Sequence, residues 1–479
     1  MDAEFGKPKE ECGVCGIVVD YDSSADLYAI LQSLQHRGQE SAGIAMSDGK
    51  QINLHKGMGL VDSVFDESTV RGLNGNLGIG HVRYSTFGAS EPRNAQPFVN
   101  MFKNMKFAIC HNGNIVNGGE LREYWENRGH FFTSDSDTLV ISHLIANHYK
   151  DTGDFFEAIK AAMVELDGSY SIMILTEDAV YAVRDPHGFR PFVMCDLEQG
   201  FAFASESCSF NSLKCSGIRD IRTGDVIKAT TSGIERETIP KISKKAHCMF
   251  EYIYFARPDS VINGKSIYSV REKLGRLLAK VEPVKADVVA PVPFSGMNAA
   301  AGYARESGIH YAEILFRNRY SGRSFINPTD KGRTAVIKTK LVPIKEEIKD
   351  KDIVLVDDSI VRGTTMRNIV GMLKDVGARS VHVRSSCPPV VSPCFYGIDM
   401  QQYREFIANK KSIEEIRKFL KADTLAYNTI ENTVKAIGIP KRNLCLACLN
   451  EEYPTELGGK KAEQLKLSSN GGVKQSKLG

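Results

Sequence analysis

Residues 353–365, Ile-Val-Leu-Val-Asp-Asp-Ser-Ile-Val-Arg-Gly-Thr-Thr, constrain this chain more than any other stretch. Ile353 to Val356 read as a buried strand, because an unbroken apolar run suits a strand covered on both faces. Two carboxylates, Asp357 and Asp358, follow at once. A short hydroxyl-rich turn with one glycine leads into apolar positions at helical spacing, Met366, Ile369, Val370 and Leu373, and Gly377 stands where a left-handed cap is expected. Strand, polar turn and helix start together make an anion site, since backbone N–H groups and the positive helix end point at one spot. The two acids add a place for a divalent metal or for hydroxyls. Phosphate, sugar diol and magnesium together point to a phosphorylated ribose. No Gly-Lys-Ser/Thr follows a glycine-rich turn, so this is not a Walker A loop.

The 479 residues suffice for two or more domains. A net charge of +3, from 61 basic and 58 acidic residues, leaves no nucleic-acid footprint. No apolar run is long enough to span a bilayer, and the first 11 residues lack the apolar core of a signal peptide. These features predict a cytoplasmic protein without membrane or nucleic-acid partners. In a reducing compartment its 11 cysteines are thiols, metal ligands or a nucleophile rather than disulfides.

After the polar leader, Cys12 to Val19 read as a first strand, followed by a helix with Leu27, Ile30, Leu31 and Leu34 on one face. Further strands are expected near 77–79, 106–110, 170–175, 179–183 and 201–204, and helices at 138–149 and 154–166. A cysteine beside a glycine at a strand start is more often structural than catalytic. Cys12 stands out because polar clusters accompany it where catalytic loops tend to sit: Gly80 to Thr86, Asn94 to Pro97, His111 to Asn114, and Ser134 to Asp137. His36, His81 and His111 read best as structural hydrogen-bonding residues.

From about Ile267 the pattern alternates helix and strand, the mark of a parallel sheet. A helix is expected at 268–279, a strand at 288–293, and a Phe294-Ser295-Gly296 turn into a helix at 297–306. The aromatic string from Phe250 to Ser260 marks the junction between the halves. Residues 321–341 are rich in Gly, Arg and Lys and read as a solvated loop or as a flap that excludes water. Cys445 and Cys448 form a Cys-x-x-Cys, which zinc, a redox pair and an iron–sulfur cluster all use. The tail from Leu457 has almost no apolar pattern and is expected to be disordered.

Two resemblances organise these readings. The stretch 353–365 resembles the phosphoribosyl-pyrophosphate (PRPP) signature of type I phosphoribosyltransferases. Cys12-Gly13-Val14-Cys15-Gly16-Ile17, the strings beginning at His36 and Gly80, and His111-Asn112-Gly113-Asn114 resemble class II glutamine amidotransferases, which are N-terminal-nucleophile hydrolases. Together the halves are similar to the glutamine–PRPP amidotransferases, over roughly residues 12–456. The resemblance implies an α/β protein: an αββα sandwich at 12–240, a junction at 241–265, a parallel-sheet domain at 266–456 and a tail at 457–479. Residues 1–11 would be a propeptide. Cys12 would be the nucleophile, with its own α-amine as base. Asn112 and Gly113 would form the oxyanion hole, and Arg83 and Asp137 would hold the glutamine α-carboxylate and α-amino group. PRPP would lie on Asp357, Asp358, Ser359, Ile360, Val361, Arg362, Gly363, Thr364 and Thr365. One Mg2+ per subunit would sit by Ser295, Asp357 and Asp358. The family more often has Asp where this chain has Phe294.

The branch it resembles carries a [4Fe–4S] cluster, which would fall on Cys248, Cys394, Cys445 and Cys448. The expected activity is the first committed step of purine synthesis, with glutamine and PRPP as substrates, purine nucleotides as inhibitors and a homotetramer as the assembly. Two other readings share parts of the pattern. A hexose-phosphate-aminating amidotransferase would have sugar-isomerase domains in the second half. A non-catalytic PRPP or nucleotide sensor would not need the intact Cys12, Asn112 and Gly113 set.

Overall fold

The structure, a computed structural model, describes residues 12–84, 90–102, 105–241, 243–317 and 341–470. The expected propeptide at 1–11, Ser85 and Thr86, all of the expected flap at 321–341 except Leu341, and residues 471–479 lie outside that description.

The first half is two antiparallel sheets face to face. One has seven strands, with Gly13–Val19 at its centre between Gly200–Ala204 and Leu77–Arg83. The other has six, with Gly168–Leu175 between Val180–Arg184 and Met105–Ile115. Val14, Val18, Ile79, Ala108, Met173 and Ala182 fill the space between the sheets. The helix Ser24–Ser33 covers the outer face of the first sheet, and Asp137–Thr152 and Phe155–Glu165 cover that of the second. This is the expected αββα sandwich. Gly13–Val19 is buried at every position, which explains a continuous apolar run in place of alternation. Asp154 caps its helix by accepting from the N–H groups of Phe156 and Glu157.

The second half holds a four-stranded parallel sheet in the order Val288–Pro291, Asp352–Asp357, Ser380–Ser385, Thr424–Tyr427. Ile267–Ala279 and Met297–Ser307 pack on one face, and Thr364–Asp375 and Ile413–Leu420 on the other. Asp352–Asp357 is an interior strand, and its last five residues, Ile353 to Asp357, are all buried. Its C-terminal end, where ligands bind in open parallel sheets, carries the acid pair.

Four expectations need correction. His111 to Asn114 does not sit in a loop; it is the middle of the long strand Met105–Ile115, so the polar cluster is delivered by a sheet. Phe250 to Ser260 ends in a turn, but it opens on a π-helical one that was not expected, Glu251–Phe255, nearly all buried. Ile52–Met58, Phe98–Phe102, Val193–Leu197 and three strands between Cys215 and Thr238 add to the sheets beyond the strands expected. The tail is not disordered over its first part, because Glu456–Asn470 is an α-helix. That segment is dense in Glu, Lys, Ala, Gln and Leu, all strong helix formers, and it buries Ala462 and ties Lys461 to the Val116 carbonyl.

Candidate active sites and the junction between them

At the start of the central strand, Cys12 is buried and its Sγ donates to the Tyr84 carbonyl at 3.4 Å. Burial pushes its thiol up to about 11, with nearby Arg83 pulling the other way and Glu40 and Asp137 adding to the rise. The charges of the two expected glutamine contacts therefore reach Cys12. Arg83 is buried 3.8 Å from Glu40. Asn112 lies on the neighbouring sheet, its amide donating to Ser205 Oγ at 3.5 Å, and Ser205 Oγ in turn accepts from the Val14 N–H at 3.0 Å. Arg83 and Asp137 thus act on Cys12 itself, and Asn112 reaches the strand two residues along, at Val14, through Ser205.

Asp137 opens its helix and accepts from the Ile115 N–H at 3.0 Å, with His111 Nδ1 3.5 Å away. Burial opposes its ionisation, but the His111 ring and the N–H groups of Ile115 and Thr138 hold it below the usual carboxylate range. All three histidines are hydrogen-bonded within the fold. His36 meets Glu206 at 2.8 Å, His81 meets the His111 carbonyl at 3.1 Å, and His111 also reaches the Ser169 carbonyl at 3.3 Å.

In the second half, Ser295 Oγ donates to Asp357 Oδ1 at 3.2 Å, which brings the 294–296 turn onto the acid pair. Asp357 and Asp358 are both buried, and Ser359 Oγ donates to Asp358 Oδ2 at 2.5 Å. Ile360 and Val361 point into the core rather than toward a ligand, so only their backbones face the loop. Gly363, at φ +75°, turns the chain into the helix Thr364–Asp375. Arg362 pairs with Glu405. Phe294 adopts φ +69°, a left-handed geometry rare for an aromatic residue, and Arg317 lies over its ring at 5.2 Å.

The junction carries contacts that sequence reasoning missed. Arg37 Nε donates to the Cys12 carbonyl at 3.1 Å, and its other nitrogens pair with Glu206 at 2.5 Å and Glu251 at 2.7 Å. Arg190 lies 3.6 Å from Glu251. Glu206 also accepts from the Arg257 N–H at 2.9 Å and Ser260 Oγ at 2.7 Å. Two arginines and two glutamates, all buried, therefore join the Cys12 backbone to the π-helical turn. On the far side, Arg271 donates to the carbonyls of Tyr252 at 3.0 Å and Ala256 at 2.7 Å. Burial lowers Arg271 to about 10, and Asp358 of the second site works against that. Glu251 stands in the aromatic string at the junction, where a lone acid is visible in the sequence; Arg190, Glu206 and Arg271 carry no such mark.

The four cysteines expected to act together do converge. Cys248 and Cys445 are register partners in a two-residue parallel bridge. Burial pushes Cys248 up to about 11 and Cys445 and Cys448 well above the usual thiol range, and each is raised further by others of the set. The Tyr396 N–H donates to Cys394 Sγ at 3.3 Å. Among the described residues no three His, Cys, Asp or Glu side chains are close enough to hold a single metal ion. No helix among them is long and apolar enough to cross a membrane.

Comparison with known proteins covers both halves. Residues 81–212 match a glutamine amidotransferase domain and residues 263–389 a phosphoribosyl transferase domain. The amidophosphoribosyltransferase of Methanothermobacter thermautotrophicus is 45% identical over 94% of this chain and 95% of its own length. That of Pyrococcus horikoshii is 48% identical over 93% of this chain and 97% of its own. The solved glutamine PRPP amidotransferase of B. subtilis, complexed with ADP and GMP, superposes with a TM-score of 0.87 at 41% identity, covering 93% of this chain and 98% of that one. The phosphoribosyl transferase match occupies the half where a hexose-phosphate-aminating enzyme would carry sugar-isomerase domains.

Proposed function

The chain belongs to the amidophosphoribosyltransferase family, and from that premise we propose how its residues divide the reaction. The reaction is the first step of purine biosynthesis: glutamine is hydrolysed and its nitrogen is transferred to PRPP, giving 5-phosphoribosylamine, glutamate and pyrophosphate. The observation that carries the assignment is that the charges of Arg83 and Asp137 both act on buried Cys12, while Asn112 reaches the same strand through Ser205.

Arg83 and Asp137 hold the α-carboxylate and α-amino groups of glutamine by charge complementarity. A thiol pushed up to about 11 is protonated at neutral pH, so its attack needs a base. With the leader removed, the α-amine of Cys12 takes the thiol proton and returns it to the leaving nitrogen. Sulfur bonds the amide carbon and ammonia departs, leaving a thioester that water hydrolyses to glutamate. The Asn112 amide and the Gly113 N–H stabilise the oxyanion, each by roughly 3 kcal/mol. Arg37 holds the Cys12 carbonyl and so fixes the nucleophile's backbone.

At the second site ammonia bonds C1 of PRPP as pyrophosphate leaves, with inversion. Positioning and charge dominate there, because no strong nucleophile is required. The 359–365 turn and the helix start after it cradle the 5′-phosphate, and Asp357 and Asp358 hold the ribose hydroxyls. Asp357, Asp358 and Ser295 supply the hard oxygen donors that suit Mg2+, which neutralises charge on the pyrophosphate when bound.

The donor set Cys248, Cys394, Cys445 and Cys448 fits a [4Fe–4S] cluster. Two buried and two half-buried thiols that raise one another would ionise together only around a positive group, and Arg190 already stands near as one cation. The four cysteine sulfurs would hold the cluster as thiolates. Its part is to clamp the C-terminal segment to the junction. A homotetramer, a cytoplasmic location and inhibition by purine nucleotides complete the reading.

Glutamate release measured with and without PRPP tests the division of labour. Release should rise with PRPP and vanish in Cys12→Ala, while that variant still makes phosphoribosylamine from an ammonium salt. Glutaminase activity indifferent to PRPP would overturn it. Iron and sulfide analysis after anaerobic purification should give four of each per chain if the cluster is present; a zinc signal in their place would contradict it.

A further inference from the structure

The segment just after Cys394 lies against the back of the glutaminase oxyanion hole. Asn114 Nδ2 donates to the Phe395 carbonyl at 2.8 Å, and Ser169 Oγ donates to the Tyr396 carbonyl at 2.7 Å. Arg190 donates to the same Tyr396 carbonyl. Asn114 and Ser169 are register partners on adjacent strands, one step from the Gly113–Tyr170 pair. Gly397, at φ +103°, comes so close that a Cβ there would stand 3.2 Å from the Gly113 carbonyl carbon. Gly113 is equally confined, since a Cβ on it would fall 2.0 Å from the Ser169 carbonyl oxygen. The segment is pinned from behind as well: the Tyr396 ring stacks on Phe189 at 4.2 Å, and its hydroxyl meets Thr455 Oγ1 at 3.1 Å. Beside it opens a cavity of about 360 Å³ lined by Asn114, Asp137, Phe395, Gly397 and Lys461, so packing from that side is thin and hydrogen bonds carry the position.

We propose that Phe395, Tyr396 and Gly397 form a strap that sets the oxyanion strand, and that Asn114 and Ser169 are positioning residues for glutamine hydrolysis. The proposal rests on the assignment of Asn112 and Gly113 as oxyanion donors. One strap bond falls on Gly113's own strand, at Asn114, and the other on the strand paired with it, at Ser169, so losing them lets the Gly113 N–H drift from the line of the developing oxyanion. Neither bond touches the thiol or the PRPP site.

The test uses Ser169→Ala, Asn114→Ala and the double variant, with Asn112→Ala as reference and melting temperature as a check on folding. In the double variant kcat for glutamine hydrolysis should fall roughly 10- to 100-fold while KM for glutamine moves little. Alkylation of Cys12 by iodoacetamide, which develops no oxyanion on a carbonyl, should keep its rate, as should synthesis from ammonium salt and PRPP. Should Ser169→Ala fail to fold, Asn114→Ala alone carries the same split. An unchanged kcat in the strap variants beside a fallen kcat in Asn112→Ala overturns the strap and leaves the oxyanion assignment standing. An unchanged kcat in Asn112→Ala overturns that assignment and the strap with it. Parallel loss of alkylation, ammonia-dependent synthesis and glutamine hydrolysis would mean general disruption and also overturns it.

Discussion

Cys12 sits where burial disfavours the very charge it needs in order to react. A nucleophile activated by a depressed pKa would be a thiolate at rest; this one waits for a base. The pH dependence of kcat/KM for glutamine should therefore rise through the α-amine range, ~7.7–8.0 when unperturbed, and level off well before the thiol's own range. A pH–rate profile with its alkaline limb still climbing near pH 10 would tie the rate to direct thiol ionisation instead. Cys12, Arg83, Asn112 and Asp137 stand in short strings of polar and glycine residues, but only the resemblance to the amidotransferases joined them into one site. Their partners were not legible even so. Arg37 and Glu251 are 214 positions apart, and a single buried charge in an apolar string carries no mark of where its counterion lies. The same holds for Ser169 and Asn114, ordinary polar residues whose importance comes from the backbone carbonyls they meet.

Single elements explain which parts of the fold could be read. The strand ending in Asp357 and the helix after it were plain, since burial on both faces and a 3.6-residue period leave strong patterns. Gly233–Thr238, an edge strand and mostly exposed, leaves none. The helix Glu456–Asn470 was hidden for the opposite reason: its composition favours a helix, but contact with the body of the protein on one side needs few apolar residues. The turn Glu251–Phe255 has no readable period because it winds more widely than an α-helix. Its carbonyls are held by Arg271 of the following helix, which also feels Asp358. Replacing Arg271 with Met leaves two buried carbonyls without that donor, at a cost of about 1–3 kcal/mol. The expected signature is a glutaminase whose unstimulated rate survives but whose stimulation by PRPP is largely lost, read by glutamate release at rising PRPP. Normal stimulation in Arg271→Met would remove this residue from the coupling path.

Across the whole molecule, Arg37, Arg190, Glu206 and Glu251 form a charge-balanced buried group where the two halves meet. Removing one member of such a group typically costs about 3–5 kcal/mol. Burial opposes ionisation of Glu206, but His36 and Arg37 outweigh it and hold its carboxyl far below the usual 4.5. A carboxylate depressed on folding contributes stability that is fully present above its unfolded pKa and is lost as pH falls. Thermal stability of the wild type should therefore decline below about pH 4.5. Glu206→Gln should melt lower at pH 7 and show a shallower acid slope; equal slopes in both proteins would place the acid sensitivity elsewhere. The strap at 395–397 has one more consequence, which concerns order in time. A ribosome makes residue 113 long before residue 396, and the bridge that pairs Cys248 with Cys445 closes later still. The glutaminase half of a growing chain thus lacks the brace behind its oxyanion strand until the acceptor half has been synthesised and folded back. On the strap proposal, glutamine hydrolysis in that unfinished half should run the same roughly 10- to 100-fold below that of the finished chain, which a glutaminase assay of N-terminal fragments would show.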